Sequence, residues 1–283
     1  MNDKQVLLEV KDLCLNLNRR PVLKHLDVTF KKGEAVLIAG RNGVGKSSFL
    51  RCLAGSYIPE SGQIIFAPGV SKRKIASIIG RTSLLEDMTL DEAIQFHCRI
   101  YGVKRFDDAL LRQVGLGGKR KIRQLSTGER VIFHMSLLVS QEPELLLVDE
   151  VVHSIDPYLR DMFMETMIGL VAEFNTTILM VNHSFNDIQH IPERLLLMND
   201  GRFVFDEPLD ELRNKVRKIS INGEISAGLP VVFERQTDLF KEFVVYPFRP
   251  DMSDTYSQYQ FQEMELEEII KSFIGGFYVS ERV

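Results

Sequence analysis

Short, nearly unbroken apolar runs alternate with amphipathic stretches over roughly the first two hundred residues. Residues 35–39, 145–148, 176–181 and 195–198 are apolar almost throughout, the pattern of strands buried on both faces of a parallel sheet. Residues 6–10 and 26–30 read as edge strands ahead of the first of these runs. From about residue 84 to 142 the spacing turns helical, most clearly over 90–101 and 130–141. Asn199-Asp200-Gly201 is a turn leading to a strand over 202–205. Beyond Pro208 a helix is predicted over 210–216, β-rich runs over 218–225 and 231–248, and an amphipathic stretch over 263–274. The pattern predicts an α/β main domain over 1–214 with a helical insertion, followed by a small accessory C-terminal domain over 215–283.

Composition narrows this picture only slightly. The 283 residues are 45% hydrophobic and 26% charged, with a formal net charge of -4. Such a chain can bury a large core and has no overall bias toward nucleic acid or anionic membrane. No apolar run approaches the roughly 18–20 residues needed to span a bilayer, and residues 1–5 lack the apolar stretch of a secretory signal. A cytosolic protein is expected, with any membrane component supplied by another chain. Cys14, Cys52 and Cys98 are odd in number and widely spaced, so they are read as small buried hydrophobes rather than a disulfide framework. The histidines at 25, 97, 134 and 190 show no ligand spacing, and no transition-metal site is expected.

The chemistry is concentrated behind the first buried run. Gly40-Arg41-Asn42-Gly43-Val44-Gly45-Lys46-Ser47-Ser48 is a glycine-rich loop between a predicted strand and a helix, which is the geometry of a phosphate cradle. Glycines let the loop turn tightly and aim its N–H groups inward, and the helix start adds a positive end. Lys46 is placed to reach β- and γ-phosphates, and the Ser47 hydroxyl to ligate Mg²⁺. Leu145-Leu146-Leu147-Val148-Asp149-Glu150 is an apolar strand that ends in two carboxylates. Asp149 can join the Mg²⁺ shell and Glu150 can polarise an attacking water. Leu125-Ser126-Thr127-Gly128-Glu129 heads the second helical run; alone it reads as a helix cap, but its place ahead of Asp149 marks it as a second anion site.

These motifs, in this order and spacing, resemble the nucleotide-binding subunit of an ABC transporter. GRNGVGKSS is similar to Walker A, LLLVDE to Walker B, and LSTGE to the signature loop. Ser154-Ile155-Asp156 falls where that family has its D-loop, and Val181-Asn182-His183-Ser184 where it has its switch histidine. The resemblance implies a P-loop NTPase fold of ABC type with a helical subdomain, an edge antiparallel β region and a small C-terminal α+β extension. It implies ATP and Mg²⁺ as ligands, Glu150 as catalytic base and His183 at the γ-phosphate. It also implies a head-to-tail dimer, with itself or with a related subunit, in which Ser126, Thr127, Gly128 and Glu129 of one copy face the ATP on Lys46 of the other, and Asp156 couples the sites. The partner would be an integral membrane permease in a separate chain, with the ATPase peripheral on the cytoplasmic face; no nucleic-acid partner is expected. The stretch Leu266-Glu267-Glu268-Ile269-Ile270 and the threonine in the signature resemble export-type subunits. A soluble ATP switch acting on ribosome, nucleic acid or protein is the alternative.

Three departures stand out. Residues 6–22 contain no aromatic or histidine to stack on adenine; Leu17 occupies the matching place, with Arg19 or Arg20 as substitutes. Weaker ATP binding and poorer discrimination against GTP are therefore expected. No glutamine occurs between Gln63 and Gln95, so Gly80 or Arg81 stands where the family has its switch glutamine. Val151 replaces the proline that usually follows Walker B. A basic run, Lys119-Arg120-Lys121-Ile122-Arg123, is read as a solvated face, with an acidic lipid or protein surface as the alternative.

Overall fold

The computed structural model describes residues 5–79, 86–151, 155–182, 191–237 and 239–279. Strands β1 (Val6–Leu17) and β2 (Arg20–Lys31) form a long antiparallel hairpin, whose turn residues Asn18 and Arg19 both have positive φ. Both strands run well beyond the short apolar segments that announce them, because register shifts along the hairpin interrupt strict alternation. With β4 (Ser61–Phe66) they make a sheet in the order β2-β1-β4. β4 has no fully buried residue and no clean apolar alternation, so its sequence does not advertise a strand.

The main sheet contains β3 (Ala35–Ala39), β5 (Ile75–Ile79), β6 (Leu145–Asp149), β7 (Thr177–Val181), β8 (Arg194–Asn199) and β9 (Arg202–Pro208). Their order is β5-β6-β7-β3-β8-β9, parallel except for the terminal β9. Alternation divides each central strand between two cores. Val36, Ile38, Leu145, Leu147, Leu179 and Val181 face Phe30 of the antiparallel sheet and Phe49 and Leu50 of α1 (Lys46–Leu53). Leu37, Leu146, Val148, Ile178 and Met180 face α4 (Thr127–Ser140) and α5 (Pro157–Phe174) through Ile132, Met135, Phe163 and Met167.

The helical insertion has its own core. Leu90 and Ala93 of α2 (Leu90–Tyr101), Leu111 of α3 (Ala109–Gln113), and Phe133 and Leu137 of α4 are buried together. Because α4 also sends Ile132 and Met135 into the main core, it fixes the insertion to the sheet. The basic run before the signature is drawn into intrachain pairs: Arg120 with Glu129, and Arg123 with Asp87.

After α6 (Leu209–Lys215), strands β10 (Arg217–Ile221), β11 (Val231–Gln236) and β12 (Lys241–Val245) form an antiparallel sheet ordered β10-β12-β11. Ile219, Leu229 and Val245, with Met252 of α7 (Asp251–Thr255), make a small core of their own. The last helix, α8 (Leu266–Val279), instead sends Leu266, Ile269, Ile270 and Phe273 into the main core. Phe273, Phe205 and Tyr246 contact one another ring to ring, tying α8 to β9 and to the end of β12.

Candidate functional site: a phosphate-binding loop beside two carboxylates

The loop from β3 to α1 leaves the middle of the main sheet, so its base is as rigid as the core beneath it. Gly40, Gly43 and Gly45 all have positive φ, at 148°, 83° and 114°. Their reasons for being glycine differ. A Cβ on Gly40 would sit 2.3 Å from the Met198 carbonyl oxygen of β8, and one on Gly45 would meet Leu23 Cδ2 at 2.8 Å and the Val22 carbonyl oxygen at 3.0 Å. One on Gly43 would meet nothing within 4 Å. Two glycines thus press the loop against neighbouring strands, and only Gly43 borders open space on its Cβ side.

Lys46 is buried, and its ammonium donates to the carbonyls of Gly40 at 2.8 Å and Arg41 at 2.9 Å. Burial pushes its pKa down, while the nearby carboxylates of Glu150 and Asp149 oppose that shift. The Ser47 hydroxyl donates to Asp149 Oδ1 at 3.0 Å, across 102 positions of sequence. Burial raises the Asp149 pKa; the Ser47 bond counters this and the Glu150 charge adds to it. A hydroxyl oxygen and a carboxylate oxygen one hydrogen bond apart are the hard donors that Mg²⁺ takes through a few protein ligands.

Glu150 follows directly on β6 and is exposed. Its φ is 52°, a conformation that costs a non-glycine residue about 1–3 kcal/mol. The Glu150 N–H donates to the Val181 carbonyl at 3.0 Å, which holds the turn. Glu150 lines one cleft with Asn42, Gly43, Lys46, Ser47 and Ser48, and Val22 of β2 completes the wall.

The signature segment caps α4. The Ser126 Oγ accepts from the Glu129 N–H at 3.2 Å, and a Glu129 carboxylate oxygen accepts from the Ser126 N–H at 2.7 Å. Arg120 grips the same carboxylate through two bonds, at 2.7 and 3.0 Å, and holds it below the ordinary carboxylate range. Ser126 and Thr127 are exposed while Gly128 is buried. A Cβ on Gly128 would lie 2.7 Å from Leu159 Cδ1 and 3.4 Å from Asp156 Oδ2, so the start of α5 packs directly on the signature. Asp156 caps α5, accepting from the Leu159 N–H at 3.2 Å ahead of Pro157.

A family model described as "ABC transporter" matches residues 23–153. The spermidine/putrescine import ATP-binding protein PotA of Mesoplasma florum is 31% identical over 210 residues, 69% of this chain and 59% of PotA. The ABC transporter ATP-binding protein YtrB of Bacillus subtilis is 26% identical over 291 residues, 95% of this chain and 99% of YtrB. A solved ATP-binding subunit of an ABC transporter superimposes with a TM-score of 0.67 at 26% identity, covering 73% of this chain and 92% of that one. The chain belongs to the ABC transporter ATP-binding family.

The ABC cassette is an ATPase of P-loop fold; the glycine loop, Ser47 and Glu150 line one cleft, and Asp149 lies one hydrogen bond behind Ser47. The signature lies on a different element, α4, and is not among the residues lining that cleft. His183, Ser154 and the positions of the missing glutamine, Gly80 and Arg81, lie outside the described residues. Val22 was not legible as a site residue: it is one apolar position in a β-hairpin, and only the pairing of β2 brings it to the loop. Among the described residues no helix of the cassette is long and apolar enough to cross a membrane.

Proposed function

We propose that this cassette binds and hydrolyses MgATP in a head-to-tail dimer, formed with itself or a related subunit, and that closure of the dimer drives a separate integral membrane permease. One observation carries the reading. Lys46, Ser47 and Glu150 line one cleft, with Asp149 bonded to Ser47 behind it, while the exposed Ser126-Thr127 end of α4 leaves a helix start at the surface for a second copy.

In this mechanism the γ- and β-phosphates replace the Gly40 and Arg41 carbonyls as partners of the Lys46 ammonium. Glycine-loop N–H groups hold the remaining phosphate oxygens. Ser47 and Asp149 would hold Mg²⁺, which would supply positive charge to offset that of the phosphates. Glu150 orients and deprotonates the attacking water, with His183 at the γ-phosphate. Ser126, Thr127, Gly128 and Glu129 of the opposite copy close over that phosphate, and Asp156 links the closed sites. Losing the γ-phosphate removes the bridge between copies, so the dimer reopens and the permease resets.

We further assign the export direction. The acidic-aliphatic start of α8 resembles export-type subunits. PotA and the methionine import ATP-binding protein MetN 1 of Listeria monocytogenes are by name importers, matched over 59% and 73% of their lengths; YtrB, matched nearly end to end, carries no direction in its name.

The test is purification of tagged Glu150→Gln, closed with ATP, from detergent-solubilised native membranes, followed by mass spectrometry. Near-stoichiometric recovery of a polytopic membrane protein supports the reading. Recovery of ribosomal or nucleic-acid-bound partners, or of none, replaces it with the soluble-switch alternative. ATP-dependent accumulation of cargo in inverted vesicles then distinguishes export from import.

A further inference from the structure

The β1–β2 hairpin carries a group of side chains unrelated to the nucleotide cleft. Asp12 and Cys14 lie two apart on β1, and His25 of β2 lies beside both. One ligand atom from each lies within 4.8 Å of the other two. His25 Nδ1 and Asp12 Oδ1 are 2.5 Å apart, and the His25 backbone N–H donates to Cys14 Sγ at 3.3 Å. The Asp12 N–H donates to Asp27 Oδ1 at 3.0 Å, so a further carboxylate braces the group from behind.

Irregular pairing assembles it. The β1–β2 register shifts between Val10 and Leu13 and again between Leu13 and Leu15. Asp12 and His25 sit at those irregularities with φ of 49° and 52°. Bulges re-aim side chains, and here they turn a carboxylate and an imidazole toward the same thiol. Leu13, Leu15, Leu23 and Leu26 meanwhile stay fully or almost fully buried beneath. The side chains of Asp12 and His25 are 65% and 60% exposed, so an ion can arrive directly from solvent.

We propose that Asp12, Cys14 and His25 form a binding site for a borderline divalent transition-metal cation of the Zn²⁺ class. A thiolate, an imidazole and a carboxylate are the donor set such ions select over Mg²⁺ or Ca²⁺. Three protein ligands leave a fourth, tetrahedral position for water. Starting from neutral imidazole, binding releases one proton per cation: the Cys14 thiol proton goes to solvent, and the imidazole keeps its proton on the nitrogen that does not bind. The site is independent of the ATPase reading.

Co²⁺ titration of the untagged, chelator-treated chain under reducing conditions tests this, followed by competition with Zn²⁺. The expected result is one equivalent of Co²⁺ giving a thiolate-to-metal charge-transfer band that Zn²⁺ abolishes. Cys14→Ser removes the band. His25→Asn and Asp12→Asn, chosen because asparagine tolerates positive φ, each weaken Zn²⁺ binding at least about tenfold. Cys98→Ser, in α2, leaves band and affinity unchanged. Circular dichroism establishes that each variant is folded. Absence of the band in the unaltered chain, its survival in Cys14→Ser, or unchanged affinity in both folded asparagine variants overturns the site.

Discussion

Lys46 shows how a single residue is kept ready for a charge it does not yet touch. Its ammonium is buried yet bonded to two loop carbonyls and flanked by Asp149 and Glu150, so it stays solvated by the protein until phosphate arrives. Glu150 is the residue to alter for chemistry rather than binding, because it is exposed and makes no part of the core. Glu150→Gln is expected to lower the hydrolysis rate by about 10²–10⁴-fold with ATP affinity preserved; single-turnover hydrolysis and equilibrium nucleotide titration measure the two separately. His134 gives a prediction about pH. Burial, with His97 nearby, pushes its pKa down to about 4, against about 6.5 in an unfolded chain. The unfolded state therefore binds more protons below about pH 6.5, and stability falls as pH drops from there to about 4, by about 3 kcal/mol when complete. Urea unfolding at pH 7 and 4.5 should show a smaller loss for His134→Asn than for the unaltered chain; equal losses would refute this assignment.

Among elements, the phosphate loop and the hairpin beside it depend on each other. Gly40 is pressed against β8 and Gly43 is not. Gly40→Ala should therefore cost stability through a backbone clash as well as strain, about 1–3 kcal/mol for overpacking alone. Gly43→Ala should carry only the strain of its φ, about 1–2 kcal/mol. Thermal unfolding without nucleotide ranks the two, and the reverse order would contradict the packing argument. The hairpin contributes Val22 to the cleft wall, and no aromatic is available within residues 6–22. Base–aromatic stacking is worth about 1–3 kcal/mol in nucleic-acid complexes. ATP and GTP are accordingly expected to compete within about tenfold of each other, and a competition titration with strong adenine preference would refute the expectation.

At the scale of the molecule, the C-terminal region is joined to the catalytic part through α8. Phe273 is 1% exposed and lies in the same core as the main sheet. Phe273→Ala should cost about 3–5 kcal/mol and, because the core is shared, lower the denaturant midpoint for loss of ATP binding as well as for loss of secondary structure. Nucleotide fluorescence and circular dichroism followed in one titration check this; an unchanged midpoint for ATP binding would mean that α8 supports only its own sheet.

The amino-acid sequence by itself determined the phosphate loop, the strand ending in Asp149-Glu150 and the capped start of α4, because each is built from consecutive residues whose conformational preferences are local. It also determined the central strands, whose burial on both faces leaves an unbroken apolar run. Contacts between distant segments belonged to the tertiary structure alone. The motifs assigned Ser47 and Asp149 to one ion, but only the fold shows the direct bond between them across 102 positions; Val22 reaches the cleft through strand pairing, and bulges gather Asp12, Cys14 and His25. Likewise Cys14 and Cys98 are half-buried rather than the buried hydrophobes their spacing suggested. Amphipathic spacing marked α8 as a helix but could not say which core it would fill. Periodicity specifies which face of an element is buried; only the competition among all buried faces for partners decides what each is buried against.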